Sequence, residues 1–325
     1  MVPSTAPTVV STFDGKRLSN MKSVTTKLRV ASLNLRAYPN TGRAHVEALS
    51  KLLADEGCDI VLLQECRRPW LALVCQTTGL TGYHAHTLAP AVAPRAFSPD
   101  GCAIAISSKL NVIRTWRIAP EAFLPDAVQT GIFEELPARF KQMPDRLACR
   151  YSGRSILAEL ELDGERFVAV SFHATPGTGK VGDAIVGEWK PFFHGAVALE
   201  LSDLNLRFVF AMDANEPLSE TVDSVRFHWD EERSGVKKMK ALLGTTRIHR
   251  GRDLFRDWLE STGSEPASSH VLFATYAPTA DFQRRFDSMW ATSEFGLSDF
   301  TTDLESIVQA GGDHALLAAD LQFDP

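Results

Sequence analysis

The sequence contains few cysteines, and their spacing forms no recognisable motif. Five of its 325 residues are cysteine, an odd number, and no two of them are arranged as Cys-x-x-Cys. Such a set offers neither the disulfide framework of a small secreted domain nor a thiolate site for zinc. Several of the cysteines lie within apolar segments, so we expect free thiols in a reducing compartment and a cytoplasmic protein.

Long apolar runs and a surplus of positive charge are also missing. No stretch of about 18 apolar residues occurs, so no membrane span is expected. Residues 1–27 lack the apolar core of a signal peptide and are predicted to form a mobile arm. The net charge of -6 argues against a globally basic nucleic-acid-binding protein, although it is compatible with a local basic face.

Apolar segments with strand and helix periodicity alternate along most of the chain. A strand over residues 28–35, a helix over 42–57, a strand over 59–65 and a helix over 68–78 predict sheets covered by helices. The other predicted elements are strands at 102–107, 112–118, 155–162, 167–172, 208–212, 285–290 and 315–321, and a helix at 184–204. Residues 120–150 and 216–251 are predicted to be long loops with short helices.

Polar side chains end or interrupt several of these apolar strands. They are Asn34, Glu65, His173, Asp213, Asn215, Asp287, Asp313 and His314. A buried carboxylate is costly unless it is paired or binds a cation, and oxygen ligands without a cysteine cluster favour Mg²⁺ or Mn²⁺ over zinc. Taken singly, residues of these types are more often turn, cap or structural residues than parts of a site. One site built from all of them would use almost the whole chain, so residues 28–325 are predicted to form a single domain.

Two positions in this set suggest acid–base or phosphate chemistry. His314 follows Asp313 directly, and Asp287 is available to orient its ring, which makes His314 a candidate base or phosphate contact. Arg154 begins the strand at 155–162, where it is either an ordinary strand-end cation or a donor to a phosphate oxygen.

The ordered set Asn, Gln-Glu, His-x-x-Pro, Asp-x-Asn, Phe-Asp and Asp-His resembles the endonuclease/exonuclease/phosphatase superfamily, in its deoxyribonuclease I-like branch. The resemblance extends from about Leu28 to Leu321, nearly the full chain. It implies an α/β fold, a four-layer α/β/β/α sandwich of two packed mixed sheets flanked by helices. It also implies a phosphoester hydrolase that depends on Mg²⁺ or Mn²⁺ and uses direct attack by water.

The resemblance also implies a role for each matching residue. Asn34, Glu65 and Asp313 surround the metal, with Glu65 as the principal ligand. Asp213 positions or deprotonates the attacking water, and Asn215 holds a phosphate oxygen. Asp287 orients His314, which acts as the base or stabilises the transition state. His173 lies across the phosphate, and Arg154 binds it.

Three departures from the family pattern affect these roles. Met212 precedes Asp213 where a glycine is usual, and Gly312 precedes Asp313 where a serine is usual, but neither change removes a reacting group. Between residues 83 and 88 there is no glutamate to pair with His173, only His84 and His86. His173 is therefore predicted to act mainly as a neutral or weakly charged donor to phosphate.

Two basic stretches bear on the substrate. Residues 137–154 contain five Lys or Arg against one Asp, and residues 233–252 contain seven with no Asp or Glu. If Lys237, Lys238 and Lys240 track a phosphate backbone, the substrate is a nucleic acid and the enzyme is a nuclease. A solvated face explains the charge equally well. The alternative is a phosphatase or phosphodiesterase for a small or lipid phosphoester, and a non-catalytic scaffold is a third reading.

Overall fold

The computed structural model describes residues 26–36, 42–88, 100–118, 153–174, 184–221, 224–227, 236–244, 246–263, 275–279 and 282–323. Within these ranges, the side chains of residues 184–192, 216–221, 224–227, 236–238, 276–279 and 282–284 are not described. The predicted loop at 120–150 and nearly all of the predicted N-terminal arm lie outside the described residues.

The first sheet has six strands in the order β13-β14-β1-β2-β4-β3. They are β1 (Thr26–Asn34), β2 (Ile60–Cys66), β3 (Thr81–His84), β4 (Gly101–Ile106), β13 (Gly296–Asp303) and β14 (Leu316–Phe323). The central pair, β1 and β2, is parallel, whereas β1 is antiparallel to β14 and β2 to β4. The sheet is therefore mixed, and the carboxyl ends of β1 and β2 reach the same edge.

The second sheet is also mixed and has the order β10-β12-β8-β7-β6-β5, with β9 paired to β8 and β11 to β12. Its strands are β5 (Asn111–Trp116), β6 (Ser155–Leu162), β7 (Glu165–His173), β8 (Arg207–Thr221), β9 (Ser224–Phe227), β10 (Gly251–Asp253), β11 (Tyr276–Thr279) and β12 (Phe282–Thr292). Here β7 and β8 form the parallel pair, so their carboxyl ends also share one edge.

Helices cover the outer faces of both sheets. On the first sheet lie α1 (Arg43–Asp55) and α2 (Arg68–Thr78), and on the second lie α3 (Ala184–Asp203) and α4 (Val236–Leu243). Two shorter helices are α5 (Leu254–Thr262) and α6 (Glu305–Gln309). The inner faces of the sheets pack against each other through side chains such as Val30, Leu62, Ile104, Phe167 and Val209, all buried. The predicted four-layer sandwich is confirmed.

Two sequence expectations need correction at their boundaries. β1 begins at Thr26, so Thr26 and Lys27, assigned to the arm, pair with Phe323 and Gln322 instead. β8 continues to Thr221 and forms a hairpin with β9, in a stretch predicted to be loop. The hairpin sequence is mostly polar, and its apolar alternation is confined to the four residues of β9, too short a stretch for hydrophobic periodicity to predict a hairpin. That residues 28–325 form one domain stays a prediction.

Other sequence expectations concern thiols and membranes. The described cysteines, Cys58, Cys66, Cys75 and Cys102, are free. Among the described residues, every helix is too short or too polar to cross a bilayer.

His249 links α4 to β10 and is buried in its neutral form. Its Nε2 lies 2.7 Å from the Leu242 carbonyl oxygen, and the Gly251 N–H donates to its Nδ1 over 3.1 Å. Nδ1 is therefore the acceptor and Nε2 carries the proton. Burial lowers the pKa of His249 to about 4.

We expect this histidine to make folding stability fall in mild acid. An unfolded imidazole titrates near pH 6.5, so between about pH 6.5 and pH 4 only the unfolded chain gains the proton. The loss between pH 7 and pH 5 should be about 2 kcal/mol. Urea unfolding of wild type and His249→Gln at both pH values measures it, with His45→Gln as the control. A His249→Gln protein with the full pH dependence of wild type would contradict this assignment.

Candidate active site

The predicted catalytic and metal-site residues meet at one end of the sandwich. Asn34 ends β1 beside Gln64 of β2, and His173 ends β7 beside Asp213 of β8. Asp287 of β12 lies opposite Asp213 on the neighbouring strand. Because the carboxyl ends of both parallel pairs reach this end, the packing of the two sheets brings their polar ends together.

Asp213 is the centre of the hydrogen-bond network and is 1% exposed. Asn34 Nδ2 donates to its Oδ2 over 2.8 Å, which joins the two sheets. The backbone N–H of Asn215 donates to its Oδ1 over 2.8 Å, and Asn215 Nδ2 lies 3.2 Å from Oδ2. Asn215 Nδ2 also donates to the Ala174 carbonyl, so in this conformation the amide orients Asp213.

The surroundings of Asp213 raise its pKa to about 7. Burial is the largest cause, and the negative charges of Asp287 and Glu65 add to it, whereas the charge of His314 and the Asn215 N–H oppose it. A carboxylate that titrates near neutrality can take a proton from water and return it.

His314 and Asp287 form the predicted acid–imidazole pair. His314 Nδ1 lies 3.0 Å from Asp287 Oδ2, and its Nε2 lies 4.0 Å from Asp213 Oδ2. Burial lowers the pKa of His314, but the charges of Asp287, Asp213 and Asp313 outweigh it and raise the pKa to about 10. An imidazolium donates and cannot accept a proton, so of its two predicted roles this geometry supports stabilisation of negative charge.

His173 has the opposite charge state. Arg154 Nη1 lies 2.6 Å from its Nδ1, and both residues are buried. Burial, then the adjacent guanidinium charge, lowers the pKa of His173 well below its ordinary range. His173 Nε2 lies 3.4 Å from Asp213 Oδ2 and 3.5 Å from Glu65 Oε1. The ring is therefore neutral, and its Nδ1 accepts a hydrogen bond from Arg154.

The segment predicted to lack a carboxylate partner for His173 makes other contacts. The fully buried His84 places its Nε2 2.8 Å from the Cys66 carbonyl oxygen, and its ring stacks on that of His86. His86 Nε2 lies 3.3 Å from the Asp100 carbonyl oxygen. Within the described residues, Glu65 and Asp213 are the carboxylates that approach His173.

Glu65 lies where β2 is irregular. The pairing of β2 with β4 shifts register between Leu63 and Cys66, and Glu65 has a left-handed backbone with φ of 46°. Its side chain is 17% exposed. The local kink therefore takes the carboxylate out of the regular strand alternation and places it beside His173 and Asp213.

The donor set of this site fits a hard divalent cation. Ligand atoms of Glu65, His173 and Asp213 lie within 4.8 Å of one another, as do those of Asp213, Asp287 and His314. Buried carboxylates this close repel each other, and a cation would offset the repulsion. Carboxylate and amide oxygens without a thiolate favour Mg²⁺ or Mn²⁺.

Asp313 lies outside both of these groups and contacts Arg36. Arg36 Nε lies 3.3 Å from Asp313 Oδ2, while the buried Asp313 Oδ1 has no hydrogen-bond partner within the part of the chain that is described. The Arg36 N–H donates to Asn34 Oδ1 over 2.8 Å. Sequence reasoning missed Arg36, although its place two residues after Asn34, just past a strand end, was a usable signal.

A second missed feature is a polar layer beneath the site. Gln64 is fully buried, and its Nε2 donates to Ser171 Oγ over 3.1 Å and to Ser32 Oγ over 3.3 Å. Ser171 Oγ in turn donates to the Leu63 carbonyl over 2.9 Å. This layer connects β1, β2 and β7 below Glu65. The signal was a polar residue within the otherwise apolar segment before Glu65.

The lysines predicted to bind phosphate lie on a helix of the outer layer. α4 packs against α3 through Met239 and Leu242, on the outer face of the second sheet. Lys240 is half-buried there, and the side chains of Lys237 and Lys238 are outside the described residues.

Arginines later in the same basic stretch make structural contacts. Arg250 forms an ion pair with Glu294, and Arg252 forms one with Asp257. β10 pairs with Trp290 to Thr292 of β12, so it lies roughly 10 Å or more along the strand from Asp287. These two arginines stabilise the far end of the second sheet.

The sequence matches no family model, and no curated protein sequence matches it. Solved structures do resemble its fold. A crystal structure of D. rerio TDP2 complexed with single-strand DNA product is 13% identical, with a TM-score of 0.57 over 91% of this chain and 99% of that one. The catalytic domain of human Nocturnin with bound sulfate is 15% identical, with a TM-score of 0.55 over 91% and 93%.

An endonuclease/exonuclease/phosphatase from Bacteroides vulgatus is 13% identical, with a TM-score of 0.54 over 92% of this chain and 99% of that one. The chain therefore has the fold of the endonuclease/exonuclease/phosphatase superfamily, as its strand-end residues predict.

Proposed function

We propose that the chain is a divalent-metal-dependent phosphodiesterase that hydrolyses its substrate by direct attack of water, with nucleic acid as the first substrate to test. The observation that carries the proposal is the environment of Asp213. This buried carboxylate lies between Glu65 and two imidazoles, the neutral His173 and the charged His314. Such an arrangement can hold a water, accept its proton and stabilise a phosphoryl group.

Each side chain has a separate task in this mechanism. Asp213 orients the attacking water and receives its proton, because its raised pKa lies near neutrality. The His314 imidazolium, held by Asp287, donates to the phosphoryl oxygens as negative charge develops on them. His173, kept neutral beside Arg154, interacts with the phosphate without acting as a strong acid.

The metal site of this mechanism centres on Glu65, with Asn34 and Asp313 as the other proposed ligands. The unsatisfied Asp313 Oδ1 and the crowded carboxylates of Glu65 and Asp213 support this set. Bound Mg²⁺ or Mn²⁺ would polarise a phosphoryl oxygen and neutralise charge there.

The test is a panel of substrates assayed with Mg²⁺, with Mn²⁺ and with a chelator. It contains plasmid, single-stranded DNA, RNA, bis(p-nitrophenyl) phosphate and p-nitrophenyl phosphate. We expect the wild-type protein to cleave nucleic acid or the diester. This activity should be lost with the chelator and in Asp213→Asn, but kept in Asp203→Asn, a substitution on the surface of α3. If the wild-type protein is inactive on the whole panel, the remaining interpretation is a non-catalytic scaffold.

Support for a nucleic-acid substrate and for the small-phosphoester alternative comes from different observations. D. rerio TDP2, which shares the fold, has been crystallised with single-strand DNA product. In contrast, Arg250 and Arg252 of the basic stretch are neutralised by Glu294 and Asp257. The second observation favours a small phosphoester. A binding test of the α4 lysines therefore distinguishes the two substrates.

Replacing Lys237, Lys238 and Lys240 together by alanine is expected to weaken nucleic-acid binding for all sequences alike. Each lost phosphate contact should lower the slope of log affinity against log salt by up to about 0.9 on duplex DNA, or about 0.7 on single strands. Turnover of bis(p-nitrophenyl) phosphate should not change. The matched control replaces Lys27, Lys51 and Lys109, which removes the same charge elsewhere. Unchanged affinity and slope in the α4 variant would favour the small-phosphoester alternative.

A further inference from the structure

Arg36 is anchored to the centre of the site through its backbone. It follows β1 by two residues, and its N–H donates to Asn34 Oδ1 over 2.8 Å. Nδ2 of the same Asn34 side chain donates to Asp213 Oδ2. The left-handed backbone of Arg36, with φ of 51°, turns the chain at this point. One amide side chain therefore positions both the proposed base and the arginine.

The side chain of Arg36 is held at the rim of the site. Its Nε lies 3.3 Å from Oδ2 of Asp313, whose side chain is 5% exposed, whereas 38% of the Arg36 side chain is exposed. Nε is one of five N–H donors in a planar guanidinium. This ion pair with a buried carboxylate limits the positions that the guanidinium can adopt before a ligand arrives.

An anionic substrate meets several carboxylates at this site, so an accessible cation at its rim would favour binding. Glu65, Asp213 and Asp287 lie together in the site and Asp313 contacts Arg36, while His314, held by Asp287, offsets part of their negative charge. Arg154, which the sequence suggested as a phosphate ligand, is buried, and its Nη1 donates to His173 Nδ1 over 2.6 Å. Arg36 brings a permanent positive charge with exposed surface to the same mouth, and guanidinium groups bind phosphate oxygens in pairs.

We propose that Arg36 is a substrate-binding residue whose guanidinium, held in place by Asp313, receives the non-bridging oxygens of the substrate's phosphate. The inference rests on the proposed phosphoester hydrolysis and assigns its recognition of phosphate to a residue that the family resemblance did not supply. Asp313 would then have two tasks, because it holds Arg36 through Oδ2 and could also contribute to the proposed metal site.

The test compares Arg36→Ala and Arg36→Lys with wild type on bis(p-nitrophenyl) phosphate. Arg36→Ala should raise KM by about 10- to 100-fold and raise the Ki of inorganic phosphate by the same factor, because charged hydrogen bonds are lost. The kcat should change by less than about threefold if uniform binding is what is removed. The KM and Ki of Arg36→Lys should lie between those of wild type and Arg36→Ala, since lysine keeps the charge but not the planar guanidinium.

Arg43→Ala is the matched control, because Arg43 is also an arginine paired with an acid, Glu47, but lies on the exposed surface of α1. It should leave KM and Ki unchanged. Unchanged KM and Ki in Arg36→Ala, with an active wild type, would overturn the inference. So would a higher Mg²⁺ requirement at unchanged KM, since Arg36 would then only position Asp313. A wild type that hydrolyses no phosphoester at all would instead overturn the proposed function, and this inference with it.

Discussion

Glu65→Gln is expected to lose most metal-dependent turnover while the fold is kept. The substitution preserves size and removes one negative charge from a group whose side chain is 17% exposed, so the core is not disturbed. A bound metal supplies several kcal/mol of charge stabilisation in the transition state. Since about 1.4 kcal/mol corresponds to a factor of ten, kcat should fall by roughly 10²- to 10³-fold or more.

The measurement is kcat against Mg²⁺ concentration, together with circular dichroism and thermal unfolding to confirm the fold. Glu47→Gln on α1 is the matched control, because it removes the same charge from an exposed ion pair. If Glu65→Gln turns over like wild type at low Mg²⁺, Glu65 is not the principal ligand.

His314→Ala is expected to lower kcat by at least about 10²-fold, the lower range for a side chain that participates in proton transfer or charge stabilisation. Asp287→Asn should damage the same step, because Asp287 both holds the ring through Nδ1 and keeps it charged. Since the two residues act as one unit, the double variant should lose little more than the worse single variant.

The double-mutant cycle is measured with kcat/KM on the same diester, and Asp299→Asn on the exposed face of β13 controls for the loss of an aspartate. A double variant whose loss equals the product of the two single losses would show that Asp287 and His314 act independently.

The sequence predicted the fold because the strand ends carry their own signal. Apolar runs that end in Asn34, Glu65, His173 and Asp213 give both the strand positions and the edge at which they meet. The pairing of Asp287 with His314 was likewise anticipated and is formed. Those features depend on residue type and order, which a single sequence displays.

The contacts that decide how the site works could not be predicted in the same way. Asp313 and Arg36 come from opposite ends of the chain, so their contact depends on the tertiary fold. The hydrogen bond from Arg154 to His173 depends on side-chain orientation across the β6–β7 hairpin, which residue type does not reveal. The charge states of His173 and His314 follow from their side-chain contacts and from burial, not from the local sequence. The ion pair of Arg250 could not be predicted because its partner, Glu294, lies 44 residues later in the chain. Arg252 pairs with Asp257, only five residues later, and was overlooked because that acid lies just outside the basic stretch.

The left-handed backbone at Arg36, Glu65 and Asn215 has a consequence for attempts to engineer this protein. Each of these positions suits glycine, and a side chain other than Asn or Asp there costs roughly 1 kcal/mol or more. Selection for heat resistance alone would therefore favour replacing Arg36 and Glu65 first, and activity would decay as the melting temperature rose. A more thermostable variant that stays active has to gain its stability from substitutions in the helix layers and loops, away from these three positions.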